Sequence, residues 1–437
     1  MFSGFEAIFM GLMSDTHWAR RAGRMTGLGV GFLTLALVAA GCVDDPADPT
    51  GPEPGSDGAP ITLAAAISET GRHGVEGIEV VRGYRLAVEI LNEKGGIRGR
   101  PVQLEVRDDG SDAQASARLY AELIASGTVH ALLGPYSSPI TETVLAVNEA
   151  AGVPMVAPMA AAPSIWSERQ RQWSVQLLTP GPAYLQGSVE VAVFGGAQTV
   201  AIVYENSAFP ASVVEGVREA VRRHGLEIVL DRSYEVGAAD HEAIATAARD
   251  AGADLFIGGG YTADAAGFAT AAPAVGYRPV LMSLIIGPGQ QHFVEDVGQA
   301  ARCVAGNSPW HPALQTVGFI ADNATFVSRY RAAHGTTPGY HAAGGFAAVE
   351  LLAEGLDQTA AGPGGTNRGA LRDYLFSART GTIAGPYEVA PIDDGEAGAQ
   401  RGLKGLQVQW QDDGAGGLAL RIVHPWAAAN AVPCYMR

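Results

Sequence analysis

From Ile61 onward, short apolar runs alternate with stretches of helical spacing, and the alternation repeats in two blocks of similar size. Ile61 to Ile67 has the length and continuous apolar character of a buried strand. Val80 to Leu91 places Val81, Tyr84, Ala87, Val88 and Leu91 at a helical period and ends in Gly95-Gly96. Pro101 to Arg107 alternates Val102, Leu104 and Val106, a strand period. Asp108 to Asp112 reads as a turn, Ala113 to Ser126 as a helix, and Val129 to Leu133 and Val153 to Ala157 as strands around a further helix. After Thr179-Pro180-Gly181-Pro182 the alternation restarts. Helices are expected at Tyr184 to Phe194, Ala211 to His224, His241 to Ala251 and Asp264 to Ala274. Strands are expected between them at Thr199 to Tyr204, Leu226 to Leu230, Asp254 to Gly258 and Val280 to Leu284. Strands spaced by such helices predict mostly parallel sheets covered on both faces, and two blocks predict two α/β lobes. Helices are also expected at Gln315 to His334, Gly345 to Asp357 and Arg368 to Ser377, with a loop at Ala361 to Gly365. A hairpin turning at Asp412-Asp413-Gly414 joins strands Leu406 to Gln411 and Leu418 to Val423.

The length of 437 residues accommodates two domains. With 47% apolar and 17% charged residues, the chain can bury real cores. A net charge of −16 argues against a nucleic-acid partner, which needs clustered Lys and Arg. Arg20, Arg21 and Arg24 precede an uncharged apolar run from Met25 to Ala40, the layout of a secretory signal peptide through residue 41. That run is short for a membrane span. Val38-Ala39-Ala40-Gly41-Cys42 resembles the lipobox of bacterial lipoproteins, with Ala39 where Leu is usual. The resemblance implies cleavage before Cys42 and a lipid on its thiol; the alternative is an ordinary signal peptide with a chance cysteine. Residues 42–60, rich in Pro, Gly and Asp, read as a flexible tether. The other two cysteines, Cys303 and Cys434, form an even pair in an oxidising compartment, either bridged or both free.

The stretch from Gly134 to Pro163 reads as half of a ligand pocket. It opens after one strand with Gly134-Pro135-Tyr136-Ser137-Ser138 and closes in the Pro- and Ala-rich loop after the next. Ser137 or Ser138 can cap the intervening helix by accepting from an orphan backbone N–H. Ligands of parallel α/β sheets bind at carboxyl ends of strands, and a helix N-terminus favours anions. A capped βαβ unit without a ligand fits the same residues.

Catalytic signatures are missing. There is no Gly-x-Ser-x-Gly elbow, no Gly-Lys-Ser/Thr loop and no His-Glu-x-x-His. Asp240-His241-Glu242 lacks a second His one turn on, and Gly258-Gly259-Gly260-Tyr261 lacks dinucleotide-fingerprint spacing. No enzyme activity, cofactor or metal is therefore expected.

Several segments together resemble the type I periplasmic solute-binding proteins, of the leucine/isoleucine/valine-binding class. They are Gly83 to Gly99, Arg107-Asp108-Asp109, Gly134 to Pro163, Val200 to Tyr204, Gly259-Gly260-Tyr261, Gly381 to Pro386 and the closing hairpin. The resemblance implies two Rossmann-like lobes with parallel sheets joined by a three-strand hinge. The first would comprise residues 61–180 plus 306–386 and the second 181–305 plus 387–437. Crossovers would fall near Thr179–Pro182, Ala305–Pro309 and Pro386–Val389, placing Cys303 and Cys434 in one lobe. Ser111 and Ser137 stand where the family has a first-lobe disulfide.

The resemblance also implies a ligand site built from Tyr136, Ser137, Ser138, Ala160, Ala161, Phe209, Tyr261 and Ile285. Ser138 matches the serine that holds a ligand carboxylate. Ala160 and Ala161 fall in the loop that offers backbone N–H groups, with Ala161 where a threonine is usual. Phe209 replaces a tyrosine, and Ile285 stands where an acid meets an α-ammonium. A buried ammonium without a carboxylate is costly. The expected ligand thus has an acidic or hydrogen-bonding end and an apolar body, unless Glu69 or Glu76 supplies the missing charge. The implied function is a lipid-anchored envelope receptor that delivers a small acidic or amino-acid-like ligand to an ABC permease, touching the membrane only through its anchor. An envelope lipoprotein that keeps the fold as a regulatory or protein-interaction module is the alternative.

Overall fold

The computed structural model describes residues 58–167, 171–359 and 367–437. The signal peptide, Cys42, nearly all of the tether and the loop at 361–365 lie outside the described residues. In the first block β1 (Ile61–Ile67), α1 (Gly74–Glu93), β2 (Val102–Asp108), α2 (Ala113–Ala125), β3 (Val129–Leu133), α3 (Ser138–Ala151), β4 (Met155–Ala157), α4 (Ser164–Ser167) and β5 (Ser174–Gln176) follow in order. Their strands form one parallel sheet in the order β2-β1-β3-β4-β5.

The second block contains α5 (Gln186–Phe194), β6 (Thr199–Glu205), α6 (Ala208–His224), β7 (Glu227–Tyr234), α7 (His241–Asp250), β8 (Leu255–Gly259), α8 (Thr262–Ala274), β9 (Leu281–Leu284), α9 (Gln291–Val297) and β10 (Val304–Ser308). The chain then forms α10 (Asn323–His334), α11 (Tyr340–Thr359), α12 (Arg368–Ser377) and the small hairpin of β11 (Thr380–Thr382) and β12 (Gly385–Tyr387). These helices join the first sheet's layer: α11 packs on α1, and α12 on α11 and β5. β13 (Leu406–Asp412) and β14 (Leu418–His424) return to complete the second sheet, ordered β14-β13-β10-β9-β8-β6-β7. That sheet is parallel except at its β13–β14 edge. The molecule is thus a two-sheet α/β protein, and central strands such as β1 and β8 are buried along nearly their whole length.

Several helix boundaries differ from expectation. α1 starts at Gly74 rather than Val80, and α6 at Ala208 rather than Ala211. Two others differ for a physical reason that the structure shows. The helix expected from Gln315 starts at Asn323, where Asp322 accepts from the Thr325 N–H at 2.7 Å. Upstream, the N–H groups of Ile320 and Ala321 donate to the buried Glu350 carboxylate instead of to a helical turn. The helix expected from Gly345 starts at Tyr340. Its Gly344-Gly345 pair reads as a break but serves close packing. A Cβ on Gly345 would stand 2.3 Å from the Val80 carbonyl oxygen, and one on Gly83 would stand 2.1 Å from that of Ala342. Glycine lets α1 and α11 approach backbone to backbone. The hairpin turn lies just past β13: the Asp413 carboxylate accepts from the N–H groups of Ala415 and Gly417.

Cys303 and Cys434 are joined by a disulfide with a Cα–Cα distance of 5.5 Å. It ties the strand end entering β10 to the chain terminus.

Candidate functional site

The site forms where the carboxyl ends of β3 and β4 face elements that follow β8, β9 and the second block's entry. Tyr84 and Tyr120 donate their hydroxyls to the carbonyls of Gly134 and Leu133, fixing the exit of β3. Ser137 is the N-cap residue of α3 by backbone position, but its hydroxyl caps nothing. Ser138 does not cap α3 either. Its Oγ accepts from the N–H groups of Ala161 (3.1 Å) and Ala162 (3.2 Å), across to the loop after β4. The capping expectation is corrected in this way: the loop's donors satisfy one hydroxyl, and the other turns to the pocket. Trp166 donates to the Ala160 carbonyl and the Gly181 N–H to that of Ala161, so the loop is held on each side. The backbone donors expected to face a ligand are engaged by Ser138, whose own O–H proton remains available to donate.

Of the residues singled out in the sequence, Tyr136, Ser137, Ser138, Ala161, Phe209 and Tyr261 line one pocket. Ala160 is buried beside it. Ile285 lies in the core with its N–H donating to the Gly258 carbonyl, and the next residue, Ile286, lines the wall. The chain bends just past the end of β9, at Ile285 and Ile286. Sequence reasoning missed Met159, Leu178, Tyr184, Tyr340 and His341, which complete the lining. A Tyr-His pair just past Pro338-Gly339, at the start of an apolar helix, was the available signal for the last two.

The rings pack closely. Tyr136 lies 6.4 Å from Tyr261 and 5.2 Å from His341, and Tyr184 lies 5.1 Å from Phe209, centroid to centroid. The cavity between them is about 20 Å³, room for roughly one water. Burial pushes the hydroxyls of Tyr136, Tyr184, Tyr261 and Tyr340 up, so all four stay protonated donors. Burial, with His292 nearby, holds His341 well below the usual imidazole range. The Tyr184 hydroxyl and His341 Nδ1 are buried without hydrogen-bond partners, while Ser137 and the Tyr261 hydroxyl interact with each other. No carboxylate or guanidinium is among the described lining residues.

Charged groups gather at the rim and cross the cleft. Arg72, in the turn before α1, pairs with the fully buried side chain of Glu205 at the end of β6 and lies 5.0 Å over the Tyr261 ring. Glu205 also accepts from the Ser207 hydroxyl at 2.8 Å. Thr262, at the start of α8, donates to Glu76 of α1 at 2.6 Å. The His73 ring packs at a tilt of 59° against Tyr261, 4.7 Å between centroids, and burial followed by the Arg72 charge lowers its pKa to about 4. The two acids considered as ammonium partners are engaged elsewhere: Glu76 by Thr262, and Glu69 by Arg85 at 3.3 Å. Among the described residues no cluster of three or more His, Cys, Asp or Glu could hold a metal.

A two-sheet α/β scaffold with its pocket at the strand ends has many relatives, and sequence decides among them. A periplasmic binding protein family profile matches residues 60–415. The chain belongs to the periplasmic binding protein family. This periplasmic binding protein is 25% identical over 393 residues to Leu/Ile/Val-binding protein homolog 7 of Brucella suis, covering 85% of the chain and 93% of the relative. Its fold is similar to that of the branched-chain amino acid transporter substrate binding protein LivJ from Streptococcus pneumoniae, solved with isoleucine. There the TM-score is 0.72 at 21% identity, covering 84% of this chain and all of that one (100%). A solute binding protein of an ABC transporter from Rhodopseudomonas palustris, solved with benzoate, gives a TM-score of 0.70 at 18% identity, covering 86% and 99%. The family is one of solute-binding proteins rather than enzymes, and no described helix is long and apolar enough to cross a membrane.

Proposed function

We propose that this protein is a lipid-anchored extracytoplasmic receptor that captures a small acidic ligand with an apolar, aromatic body and delivers it to an ABC importer. The observation that carries the ligand class is the pocket lining: aromatic rings and hydroxyls, with no carboxylate to meet an ammonium. A free α-amino acid entering it would bury its ammonium without a counter-charge, at a cost of several kcal/mol. The Ser138 proton, the Ser137 hydroxyl and the start of α3 suit an anionic end, and Tyr136, Phe209, Tyr261 and Ile286 suit a flat apolar body. Transport relatives include proteins whose structures hold isoleucine and benzoate; the benzoate type agrees better with this lining. Residues 61–180 plus 306–386 would close on 181–305 plus 387–437, with Cys42 as the anchor.

A second reading, an interaction module that binds no metabolite, is favoured by one observation, the cavity of only about 20 Å³. A thermal-shift screen against a metabolite library separates the two. Receptor function predicts a rise in Tm with small aromatic carboxylates, because a ligand that binds only the folded state stabilises it. No shift across amino acids, organic acids and aromatic acids would favour the interaction module.

A further inference from the structure

Glu350 is a fully buried acid that does not line the pocket. It lies about 13 Å further along α11 than His341. A buried carboxylate is costly unless its oxygens are hydrogen-bonded, and burial pushes this one up to about 7. Both oxygens are engaged, and the three donors are backbone N–H groups from outside the helix. Ile320 (3.1 Å) and Ala321 (3.3 Å) donate to Oε1, and Ile383 (2.9 Å) donates to Oε2. These donors sit on two stretches next to passages of the chain between the sheets. Ile320 and Ala321 lie where it returns from β10 of the seven-stranded sheet to α10. Ile383 lies in the β11–β12 turn, just before the chain leaves again for β13. The two stretches also touch directly, since Thr316 Oγ1 donates to the Ile383 carbonyl at 2.5 Å. Lys94, just past α1, donates to the Ile320 carbonyl at 2.5 Å. Gly318 leaves room for the acid: a Cβ there would stand 2.2 Å from Oε1 and 2.3 Å from Oε2.

We propose that Glu350 is a positioning residue for ligand capture: its one carboxylate fastens the returning and the departing passage to α11, and so sets how the pocket wall of the second sheet meets the serines. This rests on the receptor reading above. Tyr261 and Ile286 reach the pocket from strand ends of the seven-stranded sheet, and Ser138 and His341 from α3 and α11. The passages between the sheets set the distance between those two groups. A well-packed apolar side chain would fill the place of Glu350 without burying a charge. Only an acceptor with two oxygens holds both passages at once. Where the passages are loose, a smaller fraction of molecules has its pocket assembled, and the apparent affinity falls by that fraction.

Calorimetry with benzoate at pH 8, where the Glu350 carboxyl is mostly ionised, tests this beside thermal unfolding of each variant. Glu350→Gln keeps one acceptor oxygen and can hold one passage but not both; Glu350→Ala holds neither. Benzoate affinity is expected to fall about tenfold in Glu350→Ala and by less in Glu350→Gln, although neither change touches the pocket. Gly318→Ala, whose Cβ displaces the carboxylate, is expected to weaken binding on its own and to add nothing to Glu350→Ala, because both act through one contact. A lowered Tm with unchanged benzoate affinity would make Glu350 a purely structural acid and overturn the inference. Additive losses from positions 318 and 350 would overturn it as well. Glu350→Gln and Gly318→Ala alone decide if Glu350→Ala does not fold. If the wild-type protein binds no benzoate, the receptor reading fails and this inference with it; if it binds benzoate and the variants bind equally well, this inference alone fails.

Discussion

Ser138 is a position whose importance can be read in the sequence but whose task cannot. Its place after an apolar run marks it as a pocket residue, while its hydrogen-bond partners are backbone groups 23 and 24 residues on. Ser138→Ala leaves two buried N–H groups without an acceptor, at a cost of about 1–3 kcal/mol. A lower Tm and benzoate binding weakened at least about tenfold are expected by thermal unfolding and calorimetry; unchanged Tm and affinity would remove Ser138 from both roles. Tyr340 and His341 were illegible for another reason: Gly344-Gly345 reads as a helix break, and only the neighbouring helix's backbone shows that it is a packing site. His73 makes the protein pH-dependent. Its imidazole, near 6.5 in solution, is lowered to about 4 by burial and by the Arg72 charge. If the proposed lobes close over it, the neutral form is the one that closure favours. That contribution is complete above pH 6.5 and is lost as pH falls from there toward 4. Benzoate affinity is expected to fall about tenfold from pH 7 to pH 5. His73→Gln should flatten the dependence, leaving a residual slope from the more deeply buried His341. A flat wild-type profile would take His73 out of closure.

At the scale of elements, regular strands and helices were legible where one short segment held the whole signal. β1, β3, β6 and β8 follow apolar runs, and the β13–β14 hairpin follows its Asp-Gly turn. β5, β10, β11 and β12 were not legible, because Ser-Val-Gln or Val-Ala-Gly-Asn-Ser has no strand pattern until neighbouring strands pair with it. The turn before α1 is the element that joins the two blocks across the cleft. Arg72 reaches Glu205, and Thr262 reaches back to Glu76, so each side contributes one buried acid and one donor. In a receptor whose lobes close as proposed, such contacts form on closure, and truncating one acts mainly on the dissociation rate. Arg72→Ala is expected to speed benzoate release by about tenfold in stopped-flow fluorescence with little change in association. Adding Glu205→Gln, which removes the stranded buried charge, should recover part of the loss. An unchanged release rate would show that the ion pair does not hold the cleft shut.

At the scale of the whole molecule, one parallel sheet and one mostly parallel sheet, with helices of the later chain packed on the first, place one aromatic pocket between two sets of strand ends. The alternation of strands and helices carried that architecture in the sequence. What it could not carry is the wall chemistry, since Tyr184 and Ile286 meet the serines only after the chain has passed to the second sheet, and Tyr340 and His341 only after it has come back. The central claim is that this wall admits an aromatic acid and refuses a free α-amino acid. Calorimetric titration of the purified protein with benzoate and with leucine, side by side at pH 7, tests it most directly. The account predicts saturable binding of benzoate and no measurable binding of leucine; tight leucine binding with none for benzoate would contradict it.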